Sequence, residues 1–330
     1  MVYFKEYEKS DKRICLLCQH YCKIKEGKTG ICGVNKNVGD KIECLVYGYP
    51  AAMNIDPIEK KPLYHFLPAS KSFSIGTVGC NFKCPFCQNW DISQEKEINK
   101  SDYYSAELLA LLASRKECES MAYTYNEPTI FYPFAKDVAL EAKKLGIKNV
   151  YVSNGFESTE VINDMKGIID AVNIDLKSFN ASYYKKSLKG DLNKILENLK
   201  LFRKNDIWVE VTTLIVPTQN DSDKELKQIA TFIAQELGVN TPWHISAFHP
   251  DYKLMNLPST SFEILKKAYD LGKEAGLNYV YIGNIGFENP TKCSGCGEIL
   301  IEREYFNVLE NNLVDGCCPK CKKELEGIFS

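Results

Sequence analysis

Between residues 73 and 282 the chain alternates short apolar runs with longer amphipathic runs, which predicts strands that alternate with helices. The predicted strands are Phe73–Thr77, Met121–Tyr125, Asn149–Ser153, Ala171–Ile174, Trp208–Val216, Trp243–Phe248 and Asn278–Ile282. The predicted helices are Ala106–Ser114, Ile130–Leu145, Thr159–Lys166, Leu192–Lys204, Lys224–Leu237 and Phe262–Ala275. This alternation favours an α/β fold in which a parallel sheet is connected by crossover helices.

Ahead of this region, Cys44–Tyr49 has the composition of a strand, and residues 51–70 have that of a connector because Pro57, Pro62 and Pro68 interrupt them. We therefore predict three parts: a cysteine-rich segment with its connector at 1–70, the α/β region at 71–285, and a small C-terminal segment at 286–330.

Polar residues follow five of the predicted strands directly. A cysteine-rich loop follows the first strand, and the others are followed by Glu127, by Asn154, by Asp175 and Lys177, and by His249. Because α/β sheets bind ligands at the carboxyl ends of their strands, this placement predicts one site along a single rim. Each residue could be an ordinary polar loop residue, but that explanation is weak for all of them together.

The loop after the first predicted strand places thiols at Cys80, Cys84 and Cys87, a C-x3-C-x2-C spacing. Three thiolates on a tight loop can hold three irons of a [4Fe–4S] cluster, and the fourth iron then stays open for a substrate or cofactor. A fully ligated cluster only carries electrons. A zinc knuckle fits less well, because zinc sites usually combine two C-x2-C pairs. A disulfide would leave one thiol unpaired.

Most of the other cysteines, of fourteen in all, lie in two groups near the ends of the chain. The N-terminal group is Cys15, Cys18, Cys22 and Cys32, and the C-terminal group is Cys293, Cys296, Cys318 and Cys321. The first spacing suits zinc or an auxiliary iron–sulfur cluster and does not separate them. The second repeats C-x2-C, which is typical of a zinc ribbon or a rubredoxin-like site, and zinc is the commoner occupant. Cys317 should be a bystander, because it adjoins Cys318.

Charge and hydropathy limit the function classes. Lys plus Arg number 41 and Asp plus Glu number 43, so the net charge of −2 argues against nucleic acid as the main partner. Residues 1–13 are charged and lack the apolar core of a secretory signal. The apolar run Leu108–Ala113 is far shorter than the ~18 residues of a membrane span. We expect a soluble, cytoplasmic protein without a membrane partner.

The stretch Thr77–Gln94, which reads TVGCNFKCPFCQNWDISQ, resembles the radical S-adenosylmethionine (SAM) superfamily. More specifically, it is similar to the radical SAM enzyme of the AmmeMemoRadiSam system, a relative of the pyruvate formate-lyase activating enzymes. The resemblance implies a partial (β/α)6 barrel, here with small cysteine-rich metal-binding segments at both ends.

The same resemblance implies reductive cleavage of SAM at a [4Fe–4S] cluster, which gives a 5′-deoxyadenosyl radical that abstracts hydrogen from a substrate. It implies an electron donor such as flavodoxin or ferredoxin, and companion Memo-like and Amme-like proteins. It names no substrate, although a rim that is open at one side could admit a peptide or protein.

The resemblance also assigns SAM contacts. Asn126-Glu127-Pro128 resembles a Gly-Gly-Glu-Pro tail that binds the SAM amino group, with Asn126 in the place of the second glycine. Asn154 lies in a tail that resembles a ribose-contacting Thr-Asn-Gly. Asp175-x-Lys177 resembles a pair near the SAM carboxylate, whose charge Lys177 could neutralise, and His249 resembles a histidine near the ribose.

Two other functions remain open at this point. A glycyl-radical enzyme activase shares the cysteine loop, but such enzymes often carry ferredoxin-like cysteine inserts after it, and residues 88–105 contain no cysteine. A non-catalytic, zinc-dependent binding protein is suggested by the two terminal cysteine groups. Formation of 5′-deoxyadenosine would exclude that binding-only function.

Overall fold

The computed structural model describes residues 3–7 and 10–330, and its N-terminal part consists of short antiparallel strands. These strands are β1 (Phe4–Glu6), β2 (Lys12–Cys15), β3 (Lys23–Lys25), β4 (Asn35–Asn37) and β5 (Ile42–Cys44). Strands β1, β2 and β3 form one sheet and β4 pairs with β5. The strand predicted at Cys44–Tyr49 is wrong, because β5 ends at Cys44 and turns follow it.

An eight-stranded sheet forms the centre of the molecule, in the order β13-β12-β11-β10-β9-β8-β7-β6. Its strands are β6 (Ala52–Pro57), β7 (Lys71–Gly76), β8 (Ser120–Tyr123), β9 (Lys148–Ser153), β10 (Ala171–Asp175), β11 (Trp208–Ile215), β12 (Trp243–Ala247) and β13 (Val280–Gly283). Strands β7 to β13 pair in parallel, as the alternating pattern predicted. Strand β6 was not predicted; it pairs antiparallel with β7, ahead of the predicted division at residue 71.

Helices connect the parallel strands. They are α1 (Trp90–Ser93), α2 (Ala106–Arg115), α3 (Tyr132–Lys144), α4 (Thr159–Met165), α5 (Ala181–Tyr183), α6 (Leu192–Lys204), α7 (Asp223–Phe232) and α8 (Phe262–Glu274). The helix predicted from Ile130 starts later, because a 3-10 turn at Pro128–Phe131 precedes it. The helix predicted to Leu237 continues past α7 as the π-helical segment Ile233–Leu237. Among the described residues, no helix combines the length and apolar character that a bilayer span requires.

Residues 58–70, which we call the plug, occupy one end of the barrel. Their apolar side chains pack in a buried cluster with residues from the inner faces of the strands: Ile58, Leu63, Phe66 and Leu67 with Ala122, Val150 and Ala171. Glu210 of β11 accepts hydrogen bonds from the backbone N–H groups of Tyr64 (3.0 Å) and His65 (2.8 Å). Apolar packing and the Glu210 carboxylate therefore both hold the plug in place.

Residues 291–330, which we call the ribbon, form a small three-stranded sheet beside the barrel. Its strands are β14 (Thr291–Lys292), β15 (Ile299–Glu304) and β16 (Asn307–Asn311). Its apolar residues Leu300 and Ile301 share a buried cluster with Tyr64 and Tyr281 of the barrel. Ile328 also pairs with Phe66 of the plug through a parallel bridge. The ribbon thus has no core separate from the barrel.

Candidate active site

The cysteine loop begins directly after β7, and a side chain from the segment that follows β8 holds it in place. Gly79 has φ +90°, a backbone conformation that favours glycine. The Asn126 side chain accepts from the Thr77 backbone N–H (3.2 Å) and donates to the Gly79 carbonyl (2.8 Å). Asn126, which stands in the place of a glycine in the related motif, therefore fixes the base of the loop.

The three thiols of the loop are set in an apolar, partly buried position. Phe82 and Phe86 are buried beside them, and the Phe82 N–H donates to Cys80 Sγ at 3.4 Å. Burial raises the pKa of Cys84 to about 12, and the nearby Lys177 charge acts against that shift. A buried thiolate needs a cationic partner, so the thiol set fits a positively charged metal centre.

One cavity of about 570 Å³ lies against this loop at the carboxyl ends of the strands. It is lined by the three loop cysteines and by five of the six residues predicted to contact SAM: Asn126, Glu127, Asn154, Asp175 and Lys177. The sixth, His249, is exposed and does not line the cavity. Its Nε2 lies 3.0 Å from Nε2 of Gln88, and Gln88 does line the cavity. The structure brings these residues together, while their contacts with SAM stay predictions.

Glu127 is buried, and both of its carboxylate oxygens already accept hydrogen bonds. Oε1 accepts from the Thr129 N–H (3.1 Å) and the Ser153 hydroxyl (2.9 Å), and Oε2 accepts from the Asn154 N–H (2.8 Å). Asn154 Nδ2 in turn donates to Asn81 Oδ1 of the cysteine loop at 2.8 Å. Glu127 therefore aligns the segment after β9 with the loop, in addition to facing the cavity.

Lys177 and Asp175 form an ion pair at the end of β10, with Nζ 2.8 Å from Oδ2. Although burial acts in the opposite direction, the charges of Asp175 and Cys84 raise the pKa of Lys177, so its side chain is a cation. The ammonium also lies 5.9 Å from the centre of the Phe86 ring. A positive charge and a partly exposed carboxylate thus face the cavity beside the loop.

The wall away from the cysteines was not predicted. It is formed by Lys60, Lys61 and Tyr64 of the plug, by Thr212, His244, Ser246 and Tyr281 of the barrel strands, and by Phe306 of the ribbon. Parallel strands in such folds are mostly apolar on both faces. The polar residues at alternate positions of β11 and β12 were therefore a usable signal that one face of these strands lines a cavity.

Two buried carboxylates, Asp56 and Glu210, each contact side chains of this wall. Asp56 accepts from Lys61 (2.6 Å) and from Lys60 (2.9 Å). Glu210 Oε2 lies 2.6 Å from His244 Nε2. Although burial acts to raise it, the pKa of Glu210 is lowered by its hydrogen bond to His244 and by the charge of that ring.

The ribbon holds a separate group of four cysteines. Within residues 3–7 and 10–330, Cys293, Cys296, Cys318 and Cys321 form the one group of three or more His, Cys, Asp or Glu residues whose ligand atoms all lie within 4.8 Å of one another. Tetrahedral zinc with Zn–S bonds of about 2.3 Å places sulfurs about 3.8 Å apart. The observed 3.4 Å and 3.7 Å between sulfurs are close to that value. Cys317 lies outside the group, as predicted.

Comparisons with known proteins agree with this geometry. The family model described as the radical SAM superfamily matches residues 74–233. The chain is 44% identical to an uncharacterized protein of Methanocaldococcus jannaschii over 96% of this chain and 95% of that protein. It is 29% identical, over 49% of this chain and 68% of the relative, to a protein of the same organism that is provisionally named a glycyl-radical enzyme activating enzyme.

The crystal structure of Streptococcus suis SuiB bound to S-adenosylmethionine has the same fold over part of its length. The TM-score is 0.52 at 12% identity, and the match covers 68% of this chain and 52% of that one. This likeness supports the parallel-stranded barrel and nothing finer. The finer similarity to the AmmeMemoRadiSam enzyme stays a prediction. Together with the cysteine loop at the start of the matched region, the comparisons confirm the predicted superfamily: the chain belongs to the radical SAM superfamily.

Proposed function

We propose that this protein is an enzyme that binds a [4Fe–4S] cluster and SAM in the cavity at the cysteine loop and abstracts hydrogen from a polar substrate. One observation carries the proposal: the three loop cysteines and the Asp175–Lys177 pair line the same cavity. When bound, the cluster and SAM supply a one-electron cleavage that gives a 5′-deoxyadenosyl radical.

The residues of the chain bind and orient these groups. Cys80, Cys84 and Cys87 would each hold one iron, and three ligands leave a coordination position for SAM. Lys177 would pair with the SAM carboxylate, and the partly exposed oxygens of Asp175 would accept from an ammonium; the ion pair between these two side chains at the cavity supports both roles. Phe82 and Phe86 are buried and exclude water from the sulfurs.

The other half of the cavity would receive the substrate. Lys61, Tyr64, His244 and Ser246 face it with charged and hydrogen-bonding groups. The Thr212 hydroxyl, also on this wall, is buried without a hydrogen-bond partner in the described part of the chain. A buried polar group without a partner is costly, so this hydroxyl favours a ligand that can hydrogen-bond to it.

The ribbon cysteines would bind one zinc ion with a structural role. Four thiolates fill a tetrahedral site and leave no position for a substrate. Because the ribbon shares its apolar cluster with Tyr64 and Tyr281, metal binding would also support the wall of the cavity.

A second candidate is activation of a glycyl-radical enzyme, which the names of two relatives favour. Such an activase would generate a radical on a glycine of a partner protein. An electron paramagnetic resonance (EPR) signal of a glycyl radical, formed only when that partner is present, would distinguish it from an enzyme acting on a small substrate.

The test of the main proposal is anaerobic reconstitution with iron, sulfide, SAM and dithionite, followed by measurement of 5′-deoxyadenosine. The wild-type protein should form this product, which would exclude a non-catalytic binding protein. Cys84→Ala should abolish it, because the loop has no further thiol. Cys118→Ala, which changes a buried cysteine outside the three groups, is the matched control and should retain it. Full product formation by Cys84→Ala would refute the proposal.

A further inference from the structure

The four N-terminal cysteines converge through strand pairing. Strand β2 ends at Cys15 and β3 begins just after Cys22, with Ile14 opposite Lys23 in the antiparallel register. The Cys15 N–H donates to the Cys22 carbonyl at 3.0 Å, so these two cysteines are cross-strand neighbours about 5.5 Å apart at Cα. The intervening loop carries Cys18, which is buried.

The turn that carries Cys32 closes over the same point. A Cβ atom built on Gly30 would lie 3.6 Å from Cys22 Sγ, so the Cys22 sulfur points at the turn that contains Cys32. Asn35 Nδ2 donates to Cys32 Sγ at 3.5 Å and to the Ile130 carbonyl at 2.7 Å, and the Cys44 Sγ lies 3.9 Å from that carbonyl. The turn therefore brings Cys32 to the strand ends at Cys15 and Cys22, and Cys44 on β5 lies beside it.

The spacing of this group differs from that of the ribbon cysteines. The ribbon sulfurs all lie within 4.8 Å of one another, close enough to share one ion. Among the described residues, neither the N-terminal cysteines nor the loop cysteines meet that limit. Thiolates on a cubane cluster each bind a separate iron, so they stand farther apart than the ligands of one ion. The N-terminal thiols thus lie too far apart to share one ion in the way the ribbon thiols do, which suits a cubane cluster better than a single zinc.

The group lies directly against the cysteine loop. His20 Nε2 is 3.0 Å from the carbonyl of Asn81, and the Cys32 carbonyl is 2.7 Å from the position of a Cβ atom on Gly79. Asn81 and Gly79 are the two neighbours of Cys80. Two separate contacts therefore connect the N-terminal group to the residues on either side of one loop ligand.

The surface around the group is basic. Residues 10–44 contain seven Lys and Arg against four Asp and Glu, while the whole chain has a net charge of −2. Lys23, Lys25 and Lys28 are exposed on and after β3, with Glu26 as the one acidic residue among them; the other exposed acidic residues of the segment, Asp11, Asp40 and Glu43, lie outside this stretch. A surface of this charge attracts an acidic protein partner.

We infer that Cys15, Cys18, Cys22 and Cys32 hold a second [4Fe–4S] cluster, which receives one electron from an acidic ferredoxin- or flavodoxin-type protein and passes it to the cysteine-loop site. The donor is oxidised by one electron for each electron delivered, and no bond forms or breaks. A cluster with four cysteine ligands has no open iron, so electron transfer is the chemistry available to it. The electron-delivery role rests on the proposed function, but the presence of the cluster does not.

The test uses a full-length chain in which Cys80, Cys84 and Cys87 are all changed to Ala. After anaerobic reconstitution this variant should retain about four irons and four sulfides per chain. Its dithionite-reduced EPR signal should not change when SAM is added. Adding Cys18→Ala or Cys32→Ala should remove that iron. Cys44→Ala, which changes the thiol beside Cys32, and Cys118→Ala, which changes a buried thiol outside the group, should both leave it. Circular dichroism establishes that each variant is folded.

Zinc in place of iron at this group, or no metal at all in a folded loop variant, would overturn the inference while leaving the proposed function intact. Iron loss in Cys44→Ala with retention in Cys18→Ala would overturn the ligand set. In the chain with an intact loop, Cys32→Ala should still form 5′-deoxyadenosine when dithionite is the donor, but should form none when reduced flavodoxin is the donor. Equal rates of product formation by Cys32→Ala and the wild type with reduced flavodoxin would overturn the electron-delivery role. Absence of product from the wild type with either donor would instead count against the proposed function.

Discussion

Substitution of Glu210 should be among the most destabilising changes in the barrel. Its carboxylate accepts from the N–H groups of Tyr64 and His65, from Trp208 Nε1 at 3.1 Å, and from His244 Nε2 at 2.6 Å. Four donors from three parts of the chain thus converge on one fully buried group. Glu210→Ala leaves all four donors without their acceptor and opens a cavity behind the plug.

The magnitude follows from those contacts. Each buried donor left unpaired costs about 1–3 kcal/mol, although such costs do not add fully. Breaking a buried charged pair by removing one partner costs about 3–5 kcal/mol. We therefore expect Glu210→Ala to lower the free energy of unfolding by about 3–5 kcal/mol or more. Glu236→Ala is the matched control, because Glu236 forms an exposed ion pair with Lys200 and should cost about 0–1 kcal/mol.

The assay is urea unfolding of the zinc-loaded protein, followed by tryptophan fluorescence, since Trp208 and Trp243 lie in this region. Limited proteolysis should in addition show early cleavage within the plug of Glu210→Ala. A loss below about 1 kcal/mol, equal to that of the Glu236 control, would show that the plug does not depend on this carboxylate.

Three further predictions concern the site and its surroundings. Lys177→Ala should weaken SAM binding about ten-fold or more without loss of iron, since a hydrogen bond to a charged group contributes about 1.5–3 kcal/mol. Titration with SAM measures the dissociation constant, and Lys185→Ala is the exposed control. Equal dissociation constants for Lys177→Ala and the wild type would contradict the prediction. In protein loaded with zinc, Cys321→Ser should bind less zinc, measured by metal analysis, and its ribbon should be cleaved earlier in limited proteolysis, while iron at the cysteine loop persists. Joint loss of both metals would contradict separate sites. Glu157→Gln should remove a pH dependence of stability, because burial and then the Glu127 charge raise the pKa of Glu157 to about 8.

The sign of that pH dependence follows from proton binding. The ordinary pKa of the Glu157 carboxyl is 4.5, so between pH 4.5 and about 8 the folded state retains a proton that the unfolded state has lost. This contribution to stability is complete below pH 4.5 and is lost as the pH rises through about 8. The wild-type slope should approach roughly 1.4 kcal/mol per pH unit for this group, and Glu157→Gln should be flatter. Unfolding curves at pH 5 to 8 with equal slopes for both proteins would contradict the argument.

The strand and helix order was predictable because local pattern determines it. Leu192–Lys204, for example, forms a helix with the predicted bounds, since its apolar residues recur at helical spacing. Strand β6 was missed because Asn54 and Asp56 are polar and Pro57 ends it; Asp56 pairs with the cations of the plug, a partner that local sequence does not reveal.

The same distinction holds for the site. The loop cysteines and the polar residues after the strands are short motifs whose position in the fold follows from the strand order. The far wall of the cavity depends instead on residues distant in sequence. Arg303 of the ribbon, for example, is buried and donates to the Tyr64 carbonyl at 2.7 Å, across 239 residues of chain. No local pattern predicts such a contact.

The pairing between the plug and the ribbon has a consequence for biosynthesis. The Leu67 N–H donates to the Ile328 carbonyl at 2.7 Å, and the Ile328 N–H donates to the His65 carbonyl at 2.8 Å. The plug therefore leaves the ribosome some 260 residues before the segment that covers it, which at roughly 5–20 residues per second is a delay of about 13–50 s. During that interval His65 and Leu67 lack their backbone partner and Phe66 lacks its neighbour Ile328, so the nascent chain exposes backbone and apolar groups that a chaperone could bind until translation is nearly complete.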